Sequence, residues 1–223
     1  MEKYTIFWFR RDLRVEDNHG FFRALSGKNK VIPIFIFDER ILKKLPKSDA
    51  RLEYITVALG TIDSAMKRNR CGLGMYHGTP EAIFKKIIET WPIEKVVCNE
   101  DYEPYARERD TAIAALLQTY NIPFETYKDQ VIFAKDEIVK DDGTPYRVYT
   151  PYSKRWLHNF FENTVSAYPS EEHLDRLASI EQPQLNLGDL GFKPSKVPSP
   201  KPIFNDEIIR SYEDTRNFPA IDQ

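Results

Sequence analysis

Five short apolar segments alternate with amphipathic stretches through the first 130 residues, and this alternation constrains the fold more than any other feature of the sequence. Apolar runs joined by helical stretches are typical of βαβ units, in which parallel strands form a sheet that helices cover on both faces. We therefore predict an α/β domain with a doubly wound, five-stranded parallel sheet. The predicted strands are 4–9, 31–37, 73–77, 96–99 and 124–128.

The stretches between these strands have helical periodicity. Residues 49–68 place apolar side chains three and four positions apart, which predicts a helix with one buried stripe. Thr79 and Pro80 suit an N-cap and a first helical position, so they predict a second helix. A third helix is predicted over 104–120 and a short one over 205–218.

The sheet topology also predicts where a ligand would bind. Open parallel sheets bind ligands beyond the carboxyl ends of their strands, where the strand order reverses, which points to the loops at 10–18, 38–51 and 99–107. No glycine-rich loop follows the first strand, which argues against a dinucleotide site and a P-loop. The histidines and cysteines lack the spacing of metal ligands, and no motif indicates an activated nucleophile, so we predict neither a metal nor a catalytic residue.

Charge and hydropathy limit the possible partners. The formal net charge is −2, so the surface as a whole is not basic. Any contact with nucleic acid must therefore be made by a local group of basic residues. No apolar run approaches the roughly 18 residues that a membrane-spanning helix needs, and the first residues lack the features of a secretory signal. We therefore predict a cytoplasmic protein with no membrane partner.

Three segments combine charged and aromatic residues: FWFRRDLRVEDN (7–18), NEDYEPYARERD (99–110) and TPYRVYTPYSKRW (144–156). Residue chemistry alone leaves two interpretations of each segment. Segment 7–18 is either a ligand-binding loop or a loop held by pairs such as Arg11 with Asp12 or Asp17. In segment 99–110, the acidic side chains either contact a ligand or offset a helix dipole. Segment 144–156 is either a functional segment or a hairpin with an aromatic packing patch, in which Thr150 caps a helix with Pro151 in its first turn.

As strings, and in this order, the three segments resemble the signatures of the DNA photolyase and cryptochrome family. The resemblance extends through 31–42 to 212–223 and implies a Rossmann-like N-terminal antenna domain of a deoxyribodipyrimidine photolyase. Photolyases use light and reduced FAD, held in a C-terminal helical domain, to reverse pyrimidine dimers in damaged DNA. Cryptochromes use the same architecture for signalling, and a blue-light photoreceptor without repair activity is the alternative. A free-standing nucleotide-binding α/β domain is a third possibility.

The resemblance also implies a division of the chain. We expect the antenna domain at 1–168, a proline-rich linker or ordered strap at 169–204, and the start of the FAD-binding helical domain at 205–223. The Gly-Thr-Ser-x-Leu segment that opens the FAD domain in similar proteins does not follow. We therefore expect FAD to bind the full-length parent, with its own C-terminal domain, and this chain alone to be inactive.

The resemblance further implies an antenna chromophore, with aromatic walls and a few polar anchors. Folate-using bacterial members carry a glutamate where this chain has Ala106, so a deazaflavin or FMN is favoured over folate. The residues predicted to bind the chromophore are Trp8, Phe9, Arg10, Phe35, Ile36, Phe37, Asp38, Arg51, Asp101 and Glu103.

Overall fold

The computed structural model describes residues 2–163, 165–197 and 206–217. Its sheet is built from β1 (Tyr4–Phe9), β2 (Lys30–Asp38), β3 (Gly74–Gly78), β4 (Ile93–Asn99) and β5 (Phe124–Tyr127). The strands are all parallel and lie in the order β3-β2-β1-β4-β5, so the strand order reverses between β1 and β4. The predicted α/β fold with five parallel strands is confirmed.

The helices are α1 (His19–Leu25), α2 (Glu39–Leu42), α3 (Ala50–Lys67), α4 (Pro80–Thr90), α5 (Pro104–Gln118), α6 (Tyr149–Glu162) and α7 (Asp206–Thr215), with a 3₁₀ helix at Ser170–Arg176. The predicted start of α4 is confirmed, because the Thr79 side chain accepts a hydrogen bond from the Ala82 N–H and Pro80 is the first helical residue. The predicted helices over 49–68, 104–120 and 205–218 correspond to α3, α5 and α7.

The predicted start of α6 is wrong. The helix begins at Tyr149, and its N-cap is Val148, which has an extended backbone and offers no side-chain acceptor. Thr150 is therefore a helical residue and not the cap. Pro151 is compatible with this earlier start, because the first N–H groups of a helix have no partner within the helix. The missing N–H of Pro151 therefore costs the helix no hydrogen bond.

Two apolar layers cover the sheet. Alternate residues of a strand point to opposite faces. Phe7 and Phe9 therefore pack with α1 and α3, whereas Ile6 and Trp8 pack with α4 and α5. The helices cover both faces of the sheet, as the sequence predicts.

Residues 170–197 form a strap across the α/β domain. The Ala178 N–H donates to the Val31 carbonyl at 2.9 Å, and the Met75 N–H of β3 donates to the Pro183 carbonyl at 2.8 Å. Leu190 and Phe192 are buried in the layer that contains α3. Of the two possibilities left open by the sequence, the ordered strap describes this segment as far as Val197. The predicted linker residues at 198–204, residue 205 and the chain end at 218–223 lie outside the described residues, and the proposed domain boundaries stay a prediction.

Candidate functional site

A cleft of about 330 Å³ opens at the carboxyl ends of β1, β2 and β4, where the strand order reverses. We call it the sheet-end cleft. It lies at the edge where open parallel sheets bind ligands. Nine of the ten residues predicted from the sequence contribute to its lining. They are Trp8, Phe9, Arg10, Phe35, Ile36, Phe37, Asp38, Asp101 and Glu103.

The walls of the sheet-end cleft are largely aromatic and aliphatic. Trp8 is only 2% exposed and packs edge-to-face on Phe84, with ring centroids 5.2 Å apart. Phe35 and Phe37 form a second edge-to-face pair at 4.9 Å. Rings held in this way present fixed flat surfaces, which suit a planar ligand better than a flexible one.

Arg10 lines the cleft, but its guanidinium is used by the protein. Nη1 donates to both carboxylate oxygens of Asp110 at 2.6 Å, and Nη2 donates to the Asn99 carbonyl. Burial opposes its charge, but the charges of Cys98 and Asp110 and the hydrogen bonds to Asp110 offset burial, so the pKa of Arg10 lies above its ordinary value. Arg10 is therefore a charged structural residue of the cleft floor.

Arg109 also lies near the Trp8 ring, and the sequence prediction missed it as a site residue. Its guanidinium carbon is 4.9 Å from the Trp8 ring centroid, compared with 5.3 Å for Arg10. It is 7% exposed and lines the cleft. The sequence does contain a signal: the buried stripe of α5 is Ala106, Arg109, Ile113 and Leu117, which places an arginine on a core-facing position of an amphipathic helix.

An acidic rim borders the mouth of the cleft. Arg11 Nη1 donates to Glu103 and lies 3.7 Å from Asp101 Oδ1. The hydrogen bond to Glu103 is the main cause that raises the pKa of Arg11 above its ordinary value. Two carboxylates share one arginine here, so the rim keeps free acceptor oxygens for hydroxyl or amide groups of a ligand.

Tyr105 is a second lining residue that the sequence prediction missed. Its hydroxyl donates to Asp38 Oδ2, and Asp38 Oδ1 accepts the Arg40 N–H at 2.9 Å and so caps α2. Desolvation first, and then the Asp38 carboxylate, raise the pKa of Tyr105 to about 12. The hydroxyl is therefore a neutral donor at physiological pH, and it fixes α5 to the end of β2.

Comparison with known proteins identifies the family. A family profile described as DNA photolyase matches residues 5–171. The chain is 31% identical to a deoxyribodipyrimidine photo-lyase from Synechococcus sp., over 96% of this chain and 48% of that protein. The chain belongs to the DNA photolyase family. The predicted recognition is confirmed, and the chain spans about half the length of this photolyase relative.

Solved structures of the family share the fold of this photolyase-family chain. An archaeal photolyase from Sulfolobus tokodaii, solved with two FAD molecules that imply a novel light-harvesting cofactor, has a TM-score of 0.57 and 32% identity over 61% of this chain and 32% of that chain. A cryptochrome from Synechocystis sp. PCC6803 has a TM-score of 0.72 over 97% of this chain and 50% of that chain. Its 14% identity supports the fold alone.

Arg51, the tenth predicted residue, does not line the cleft of this photolyase-family chain. Its guanidinium donates to Asp49 at 2.7 Å and 3.0 Å, and its side chain is 73% exposed. The hydrogen bond to Asp49 raises the pKa of Arg51. Asp49 also caps α3 through the Arg51 N–H, so the cap and the ion pair hold this arginine at the start of its own helix.

The photolyase-like segment 7–18 is held by arginine pairs other than those predicted for Arg11, since Arg10 pairs with Asp110 and Arg14 with Asp129. The side-chain amide of Asn99 adds further hydrogen bonds to this segment. Asn99 Nδ2 donates to Asp12 at 2.6 Å and to Asn18 at 2.8 Å, and Asn99 Oδ1 accepts the Gly20 N–H at 2.7 Å. We call these four residues the Asn99 network. A Cβ on Gly20 would lie 2.5 Å from Asn99 Oδ1, so this close approach requires glycine.

The photolyase-like segment 144–156 lies outside the cleft lining. Pro145 forms an antiparallel bridge with Val139, and Trp156 stacks on Phe160 with ring centroids 5.2 Å apart. The interpretation of this segment as a hairpin with an aromatic packing patch therefore agrees with the structure.

The parts of the chain that the structure describes contain neither a cluster of potential metal ligands nor a helix with the length and apolar character of a membrane span.

Proposed function

We propose that this chain is the antenna half of a light-driven deoxyribodipyrimidine photolyase and that its sheet-end cleft binds a deazaflavin or FMN. The observation that carries this proposal is the cleft itself. Its volume lies at the lower end of the range for small-molecule sites, its walls are flat aromatic surfaces, and its polar groups are few. These features fit a planar heterocycle with a polar side chain.

The chromophore would absorb near-ultraviolet or blue light and pass the excitation energy to FAD. The residues of this chain would bind and orient it. Trp8, Phe35 and Phe37 would exclude water and fix the ring plane, while Asp101 and Glu103 would accept hydrogen bonds from its side chain. Arg11 would pair with both carboxylates and keep them at the rim, away from the ring of the ligand.

Ala106 supports a deazaflavin or FMN over folate. It is 3% exposed, lies in the first turns of α5 and contributes to the cleft lining. A methyl group at this position offers no carboxylate to a pterin ring. In folate-using bacterial relatives, the resemblance places a glutamate at this position.

We propose that DNA repair is the activity of the full-length parent protein and that this protein is cytoplasmic. Damaged DNA would be its substrate, and a C-terminal FAD domain would be the partner of this half. We expect the 223-residue chain alone neither to bind FAD in the manner of the family nor to repair DNA. Tight binding of reduced, photoactive FAD at equal stoichiometry would overturn that expectation.

A cryptochrome-type photoreceptor is the second candidate, because the fold of this chain is shared with a cryptochrome. The two candidates differ in the activity of the full-length parent. Light-dependent disappearance of pyrimidine dimers from irradiated DNA favours the photolyase. Bound FAD that is reduced by light, without loss of dimers, favours the photoreceptor.

Titration of the chain with chromophores tests the antenna proposal. Absorption and fluorescence would be measured with FMN, a deazaflavin, a reduced folate and FAD. We expect FMN or the deazaflavin to bind more tightly than folate, and Asp101→Asn to weaken that binding. Asp141→Asn is the matched control, because Asp141 is exposed and lies outside the cleft lining. Failure of both FMN and the deazaflavin to bind would refute the antenna proposal.

A further inference from the structure

Arg109 uses few of its hydrogen-bond donors, although it is buried. An arginine carries five N–H donors. Nε donates to Asp110 Oδ1 at 3.0 Å. Nη2 lies 3.0 Å from the same oxygen, but outside hydrogen-bonding geometry, and it is a buried atom with no partner in the described residues. Nη1 also donates to no group in the part of the chain that the structure describes.

A comparison with Arg10 shows that the lack of hydrogen-bond acceptors is particular to Arg109. The two arginines are similarly buried, lie near the same Trp8 ring and both contact the carboxylate of Asp110. Arg10 takes both oxygens of Asp110 through Nη1 and the Asn99 carbonyl through Nη2. Asp110 therefore has little capacity left for the second guanidinium. Buried donors without acceptors are rare in native proteins, and each one calls for an explanation.

The position of Arg109 indicates what kind of acceptor is missing. Its guanidinium lies 4.9 Å from the centroid of the buried Trp8 ring, whereas Arg11 at the rim is half-exposed. A flat heterocycle packed near Trp8 would bring its edge, and not its solvated tail, toward Arg109. The tail would meet Asp101, Glu103 and Arg11 at the rim instead of Arg109.

We propose that Arg109 donates hydrogen bonds to a carbonyl oxygen on the edge of the heterocycle, and that it thereby makes the cleft selective for ring systems with a pyrimidinedione edge. Flavins and deazaflavins belong to this class and carry two such carbonyls. This assignment rests on the antenna function proposed above. It makes Arg109 a ligand-binding residue of the cleft, whereas Arg10 supports the floor.

Parallel titrations with riboflavin and FMN test the assignment. Arg109→Met removes the donors, Arg109→Lys keeps the charge, and Arg107→Met is the matched control on the exposed side of α5. A hydrogen bond from a charged donor predicts about 10- to 100-fold weaker binding in Arg109→Met. The loss should be equal for riboflavin and FMN, smaller in Arg109→Lys and absent in Arg107→Met. A loss with FMN alone would assign Arg109 to the phosphate and overturn the proposal.

Ligand analogues test the same contact without altering the protein. Flavins with sulfur in place of the carbonyl oxygen at C2 or at C4 weaken one acceptor at a time. We expect one of the two analogues to bind the unmodified chain more weakly than riboflavin does, and that difference to shrink in Arg109→Met. The absorption band of bound flavin should also shift between the unmodified chain and Arg109→Met, because a cation at the ring edge alters its electronic states. Equal binding of both analogues and riboflavin would overturn the proposal.

The outcomes separate this inference from the function on which it rests. If the unmodified chain binds neither a flavin nor a deazaflavin, both proposals fail. If it binds one and Arg109→Met binds it equally well, only the assignment of Arg109 fails. Circular dichroism and urea unfolding of each variant establish that the affinities compare folded proteins.

Discussion

Two groups of buried polar side chains meet at the carboxyl end of β4, and they differ in how fully their hydrogen bonds are satisfied. In the Asn99 network, Asn99 donates to Asp12 and Asn18 and accepts from Gly20. On the cleft side, Arg109 makes one hydrogen bond within the described residues. The difference teaches that equally buried polar residues can leave different numbers of donors unused, and this number is the basis on which we propose Arg109 as a binding residue.

The largest expected difference is between Arg10→Met and Arg109→Met. Arg10→Met leaves the partly buried Asp110 with a weaker partner and the Asn99 carbonyl without its donor, so it should lower the free energy of unfolding by about 3–5 kcal/mol. Arg109→Met removes one hydrogen bond and one ion pair with Asp110, but Arg10 remains paired with that carboxylate, so its effect should be about 1 kcal/mol. Urea unfolding measures both values. Equal losses would remove the distinction between the two arginines.

Asn99→Ala should have the next largest effect. It removes three side-chain hydrogen bonds and leaves the Asp12 carboxylate and the Gly20 N–H short of partners, which predicts a loss of about 2–3 kcal/mol. Asn69→Ala is the matched control, because Asn69 is exposed, and it should change stability by less than about 0.5 kcal/mol. If Asn99→Ala were as stable as this control, the Asn99 network would not stabilise the fold, and the contrast with Arg109 would be lost.

A smaller effect is expected in the pH dependence of stability. The pKa of Tyr105 is raised to about 12 in the folded chain. Since the ordinary value is about 10, the contribution of Tyr105 is present below pH 10 and is lost as the pH rises toward 12. Tyr105→Phe should reduce the loss of stability between pH 9 and pH 11 in urea unfolding. Part of the loss should remain, because the pKa values of Tyr76, Cys71 and Cys98 are also about 12. An unchanged slope would show that Tyr105 is not held as a neutral donor.

The smallest effect is expected for Arg51→Ala. Arg51 is exposed and pairs only with Asp49 among the described residues, so its removal should leave both the urea midpoint and the affinity for FMN unchanged. A tenfold loss of affinity in Arg51→Ala would instead restore the sequence prediction that this arginine holds the chromophore.

The strands, the main helices and most of the cleft could be predicted from the sequence because they follow from periodicity and from the geometry of parallel sheets. Tyr105 was missed because its contact with Asp38 depends on how α5 packs at the end of β2. The apolar stripe of α5 places Arg109 on the core-facing side, but the stripe does not show that this side reaches the cleft. Arg51 lies outside the cleft lining because the carboxylate of Asp49, two residues away, pairs with it and also caps α3. The strap shows no helical or strand period, so the burial of Leu190 and Phe192 left no pattern in the sequence.

The contact between the strap and β3 has a consequence for how the chain avoids self-assembly. β3 is an edge strand, and an open edge offers unpaired N–H and C=O groups to the strands of other molecules. Pro183 accepts the Met75 N–H, and the side chain of Gln182 lies against Gly74, so the strap occupies this edge. Because a proline has no N–H to offer in return, the occupied edge cannot be extended at that residue by a further strand. The strap thus acts as a guard against intermolecular sheet growth, and a chain shortened before Gln182 should aggregate through β3.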